Sequence, residues 1–198
     1  PEDCYVNYLC GIRLFDDGEY EQSVKHFKAA YESVNTDYLY AAHLSKLLSR
    51  ALLLLDRDDE ALAVLDSGLE SFPIDTDFFI LRARIYRRSG RYTEAIEDIM
   101  KCMNLMKQPD TLSVPPPESA AGDAWEVLGE IYESLYDAKR ALGCYCQAYQ
   151  LSNAGDALLK KICKFAEELD AADVLASLFK KLLEKQTAAQ VSAVLDTL

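Results

Sequence analysis

The sequence predicts an all-α chain built of helix hairpins stacked one on the next. Three observations carry this. Landmark residues return at a fixed interval: Leu52 and Tyr86 stand 34 residues apart, as do Trp125 and Leu159. Each interval holds two apolar stripes at i, i+3, i+4, i+7 spacing, the mark of two amphipathic helices. Only 8 Gly and 6 Pro occur in 198 residues, too few to punctuate a chain of many short strands.

The first unit, about 4–37, carries Tyr8-Leu9-Cys10-Gly11, then Gly18-Glu19-Tyr20, then Phe27 and Ala30. The second, 42–75, runs through Leu48, Leu52, Ala61, Leu65 and Gly68 to Pro73. It has Asp56-Arg57-Asp58 where a glycine turn is expected. The third, 76–107, places Ile80, Ala83 and Tyr86 on one helix and Ala95, Ile99 and Cys102 on the next. Gly90 lies between them, where a tight turn favours a residue without a Cβ. The fourth, 122–155, holds Trp125, Leu128-Gly129 and Tyr132, then Ala141, Tyr145 and Ala148. A degenerate fifth unit, 156–185, follows through Ile162, Cys163, Ala166, Phe179 and Leu182. The small residues Gly11, Ala83 and Gly129 are expected to let the helices of a hairpin approach closely. An insertion at 108–118, with Pro115-Pro116-Pro117, cannot continue a helix and is expected to be an exposed connection, Ser113 and Ser119 flanking its prolines. The stripe Ala189, Val191, Val194, Leu195 and Leu198 predicts a capping helix over 186–198.

The best single match, Trp125-x-x-Leu128-Gly129-x-x-Tyr132 followed by Ala141-x-x-x-Tyr145, resembles the tetratricopeptide repeat family. The resemblance covers nearly the whole chain. It implies a right-handed superhelical solenoid of stacked antiparallel helix pairs, with the first helix of each unit lining a concave groove that holds another protein.

Composition sets bounds on partners. The net charge is −12, which argues against a general nucleic-acid binder and against an anionic membrane surface. The longest aliphatic cluster, Ala51 to Leu55, ends at Asp56 and is far short of a membrane span. No signal-peptide pattern opens the chain, which starts at Pro1 and reads as a piece of something longer. The six cysteines do not form a disulfide framework, and the expected location is cytoplasmic. Cys144 and Cys146, two apart, point to different sides of a helix and cannot share a metal. The two histidines, His26 and His43, lie in different units and outside any catalytic or metal motif. No enzyme activity, cofactor or metal is expected.

The face assigned to the groove is patterned. Unit one offers Tyr5, Tyr8, Leu9, Ile12 and Phe15; unit two His43, Lys46, Leu47, Arg50 and Leu54; unit three Asp77, Ile80, Leu81, Arg84, Arg87 and Arg88. Unit four is acidic, with Asp123, Glu126, Glu130 and Glu133, and unit five basic, with Lys160, Lys161 and Lys164. The candidate partner-binding residues are therefore Lys46, Arg50, Arg84, Arg87 and Arg88, with Tyr8 and Ile12 at the apolar start. One reading has the cations bind an acidic or phosphorylated segment. The other has them pair internally, Arg84 with Glu130, Arg87 with Glu133 and Glu126 with Lys160. Lys46 and Arg50 are harder to account for that way, since the unit before them offers mainly Asp16 on that face. The family's subclass that clamps a chaperone's C-terminal carboxylate needs Lys, Asn and Arg where this chain has Tyr8, Ile12, Leu47, Asp77 and Leu81, so that ligand is not expected. The functional expectation is an adaptor or scaffold for a partner protein. The alternatives are a spacer or self-associating segment of an assembly, or a regulatory domain joined to an enzyme.

Overall fold

A computed structural model describes residues 4–33, 38–107, 120–152 and 155–184. The insertion at 108–118, Ser113, Ser119 and the capping helix expected over 186–198 lie outside these residues. The described residues form ten helices and no strand: α1 (Cys4–Asp16), α2 (Tyr20–Ser33), α3 (Tyr38–Leu54), α4 (Asp58–Ser71), α5 (Thr76–Arg88), α6 (Tyr92–Met106), α7 (Ala120–Ser134), α8 (Ala138–Leu151), α9 (Asp156–Glu168) and α10 (Ala172–Glu184). They pair in chain order into five antiparallel hairpins.

One turn is used five times. Each hairpin is joined by three residues whose middle member has a left-handed backbone: Gly18, Asp56, Gly90, Tyr136 and Asp170, with φ of 80°, 55°, 75°, 59° and 49°. In each, the amide after that residue bonds back to a carbonyl in the last turn of the first helix: Glu19 to Leu14, Arg57 to Leu52, Arg91 to Tyr86, Asp137 to Tyr132 and Ala171 to Ala166. These bonds satisfy carbonyls the helix end would otherwise leave open. The second unit thus makes the same turn without glycine, Asp56 taking the conformation instead.

Glycine inside two hairpins sets their spacing. A Cβ on Gly11 would stand 2.5 Å from the Phe27 ring, and one on Gly129 2.6 Å from the Tyr145 ring. Both rings are fully buried. Between hairpins, Phe78 occupies the space a side chain at Gly68 would need. The core runs as three successive clusters: around Phe27, Leu48 and Leu65, then Ala83, Ile99 and Ile131, then Tyr145, Leu159 and Ile162. Along one face α3 touches α1 and α5, and α5 touches α7, so first helices of successive hairpins lie side by side.

Candidate functional site

The five turn residues mark equivalent positions, which makes Arg84 the counterpart of Arg50, Ile80 of Lys46, and Glu133 of Arg87. The ion pairs do not join counterparts. Lys46 on α3 reaches Asp77, one turn before Ile80, at 3.1 Å, and also the helix-capping Asp75 at 3.0 Å. Arg87 on α5 meets Glu130, one turn before Glu133, at 3.2 Å. Adjacent first helices are therefore displaced by about one turn, and the expected pairs Arg84–Glu130 and Arg87–Glu133 are replaced accordingly. The expected Glu126–Lys160 pair is likewise not made: the fifth hairpin's lysine contact is Lys161 with Glu133, at 3.2 Å.

Three of the five candidate cations are tied into the stack. Burial works against the Lys46 ammonium, yet its two carboxylate partners outweigh it and raise the Lys46 pKa. Lys46 is thus used by the unit after it, a partner that looking only at the preceding unit misses. Arg87 sits against Glu130 without hydrogen-bond alignment, its Nε and the Glu130 Oε2 both buried. Arg88 grips the turn of the second hairpin. It donates to the Leu53 carbonyl at 3.0 Å, pairs with Asp56, and lies 3.5 Å from Asp58.

Arg50 and Arg84 form no ion pair with any described residue. Arg50 is exposed and Arg84 half-buried. Both line one cavity of about 420 Å³, walled by Phe15 of α1, Leu53 and Leu54 of α3, and Ile80 and Leu81 of α5. Asp77 and Asp123 stand at its margin. The size falls within the range of ligand pockets. Leu54 remains 53% exposed there, a large apolar side chain left open to solvent. The charges nearby are felt: Glu126 is raised by burial and by Glu130, with Arg84 opposing.

Tyr8 and Ile12 lie at the start of the same face. The Tyr8 ring packs edge-on against Tyr40 at 4.3 Å, and its hydroxyl is 2.6 Å from His43 Nδ1. Ile12 packs against the first core cluster. Burial raises the Tyr8 pKa, and burial with the fields of Lys46 and Arg50 lowers that of His43. The Tyr8 hydroxyl and the His43 ring share this one hydrogen bond.

Two arrangements were not foreseen from sequence. Arg82 donates to both oxygens of Asp98, at 2.7 and 2.8 Å, and to Asp66 at 2.6 Å. Asp98 is 2% exposed. An aspartate within the apolar stripe of α6 was the available signal. Tyr145 donates its buried hydroxyl to Glu133, which Lys161 also contacts.

The tetratricopeptide repeat family matches residues 76–108, which span the third hairpin. No curated protein matches the chain in sequence. Solved structures match its fold over almost its full length. A thermophilic TPR protein of Thermus thermophilus is 15% identical, with 98% of this chain and 100% of that one covered and a TM-score of 0.67. MamA, residues 41 to the end, from Desulfovibrio magneticus RS-1 is 15% identical over 95% and 99% of the two chains, with a TM-score of 0.63. The APC/C hetero-tetramer Cut9-Hcn1 is 14% identical over 100% of this chain and 36% of that one, with a TM-score of 0.71. The fold is the right-handed superhelical solenoid of stacked antiparallel helix pairs.

Proposed function

We propose that this chain, an array of tetratricopeptide repeats, is a non-catalytic adaptor or scaffold that holds a segment of a partner protein in the groove along α1, α3, α5 and α7. The observation that carries this is the cavity in which Arg50 and Arg84 stand without ion-pair partners among the described residues, beside an apolar wall that Leu54 leaves open to solvent. Guanidiniums with no ion pair among the described residues, beside an open leucine, are available to a partner's carboxylate and apolar side chain. Lys46, Arg87 and Arg88 shape the groove from within the stack, and Tyr8 and Ile12 extend its floor. The solved assembly Cut9-Hcn1 has this architecture in a complex of two different proteins, which fits a partner-holding role.

Among the described residues no helix is long and apolar enough to cross a membrane. All six cysteines are free, which favours a reducing compartment such as the cytoplasm.

A photo-crosslinking residue placed at Leu54 in the groove, and separately at the exposed Met100 on α6, tests the reading. The same partner is expected to crosslink from Leu54 and not from Met100. Capture from Met100 alone would move the binding face to the second helices and overturn the groove.

A second reading rests on α1. Tyr5, Val6 and Leu9 are 59, 54 and 45% exposed on one helix, an apolar edge suited to self-association. Light scattering after size exclusion separates the readings: a dimer dissolved by Val6→Asp supports it, and a monomer at high concentration ends it.

A further inference from the structure

We infer that the groove takes an extended segment in which two acidic residues about three positions apart flank a large apolar one. This rests on the groove reading above and gives it a ligand class. Arg50 and Arg84 occupy equivalent positions on α3 and α5, which are displaced by about one turn, so they stand roughly one helix-to-helix spacing of 8–10 Å apart across the face and about one turn apart along it. An extended polyproline-like segment advances about 3.1 Å per residue with three residues per turn. Carboxylates three positions apart on such a segment are thus about 9 Å apart and on one side, a spacing that two long arginine side chains on neighbouring helices can span. The residues between them turn aside toward Leu54 and Ile80, where an apolar side chain has somewhere to go.

The margin fixes polarity. Lys46 already neutralises Asp77, but Asp123 has no ion pair among the described residues and lies beyond Arg84. Glu126 sits in the field of Arg84 as well. A third acid placed on that side is repelled, so the acidic pair is short and does not belong to a long acidic tract. The −12 net charge acts the same way on polyanions.

The test is selection of short random peptides displayed on phage against the full chain and against two variants, R50E/R84E and R50Q/R84Q. The native chain is expected to enrich peptides with Asp or Glu at i and i+3 around Leu, Phe or Trp. R50E/R84E is expected to enrich Lys or Arg at those positions instead, and R50Q/R84Q to keep the apolar residue and lose the acidic preference. For a selected peptide, each single Arg→Gln change is expected to weaken binding roughly tenfold. If the charge-reversed chain fails to fold, the neutral pair still decides. Selected peptides that lack acids yet are blocked by Leu54→Asp would overturn the ligand class and leave the groove standing. Peptides indifferent to Leu54→Asp and to both arginines would overturn the groove itself.

Discussion

A methyl group added at Gly129 would stand 2.6 Å from the Tyr145 ring, and neither can yield easily. Tyr145 is fully buried and its hydroxyl is tied to Glu133, so the ring cannot swing away without breaking that bond. Alanine is the better helix former by about 1 kcal/mol, but overpacking a fixed site costs about 1–3 kcal/mol. Gly129→Ala is expected to destabilise by up to about 2 kcal/mol, read as a lower urea midpoint with an unchanged slope. Asp98 makes the opposite point, since there the polar group itself fills the core. Its carboxylate is 3% exposed and receives both branches of the Arg82 guanidinium. Arg82 also lies over the rings of Phe79 and Tyr86, so it cannot retreat to water without uncovering them. Removing one partner of a buried pair costs about 3–5 kcal/mol. Asp66 still holds Arg82, which puts Asp98→Asn near about 3 kcal/mol. Thermal melts of Asp98→Asn alone and with Arg82→Met measure the coupling; independent effects would mean the pair is not a unit.

The hairpin turn is the element in which sequence and structure differ most instructively. Gly18 and Gly90 announced their turns because a left-handed residue without a Cβ is free of strain. Asp56 and Asp170 make the same turn, since a short polar side chain tolerates that conformation, and nothing in their sequence separates them from ordinary helix-end aspartates. Tyr136 is the outlier: a bulky residue at φ 59°, 97% exposed. Nothing in its packing compensates, so Tyr136→Gly is expected to raise stability by about 1 kcal/mol, visible as a higher melting temperature. Arg88 belongs to the same element. By gripping Leu53 and Asp56 it joins the third hairpin to the turn of the second. Arg88→Glu sets a third carboxylate beside Asp56 and Asp58 and is expected to lower stability by roughly 1 kcal/mol, modest because the site is partly exposed. Arg50→Glu, with no ion pair to lose among the described residues, is expected to leave the melt unchanged. Equal losses in both variants would mean that Arg50 is a stacking residue too, and the groove would lose half its charge.

Across the whole molecule, the period of 34 and the paired stripes were enough to predict a fold of stacked helix pairs, because each repeat buries the same positions against its neighbours. Which cation meets which carboxylate was not legible. That depends on a displacement of one turn between adjacent first helices, a property of the stack and of no single repeat. The cysteines follow the stack as well. Cys102 and Cys144 lie in the middle cluster and Cys146 in the last, while Cys10 is exposed on α1. Burial pushes the Cys102 thiol up to about 12 and those of Cys144 and Cys146 up to about 11. Only thiolates react, so alkylation by iodoacetamide at mild pH is expected at Cys10 first and at these three only after unfolding. The same shifts link stability to pH. A thiol raised in the folded state stays protonated there while the unfolded chain releases its proton above about 8.5–9. The folded state then binds more protons than the unfolded one, so stability is whole below about pH 9 and falls as pH climbs toward about 11 and 12. Replacing the three buried cysteines by alanine costs some packing but removes this dependence. Urea midpoints measured from about pH 8 to 11 are expected to fall more steeply for the native chain than for the triple variant. Parallel slopes, or alkylation of Cys102 as fast as that of Cys10, would show that the middle of the stack opens without unfolding, and the repeats would not be one cooperative unit.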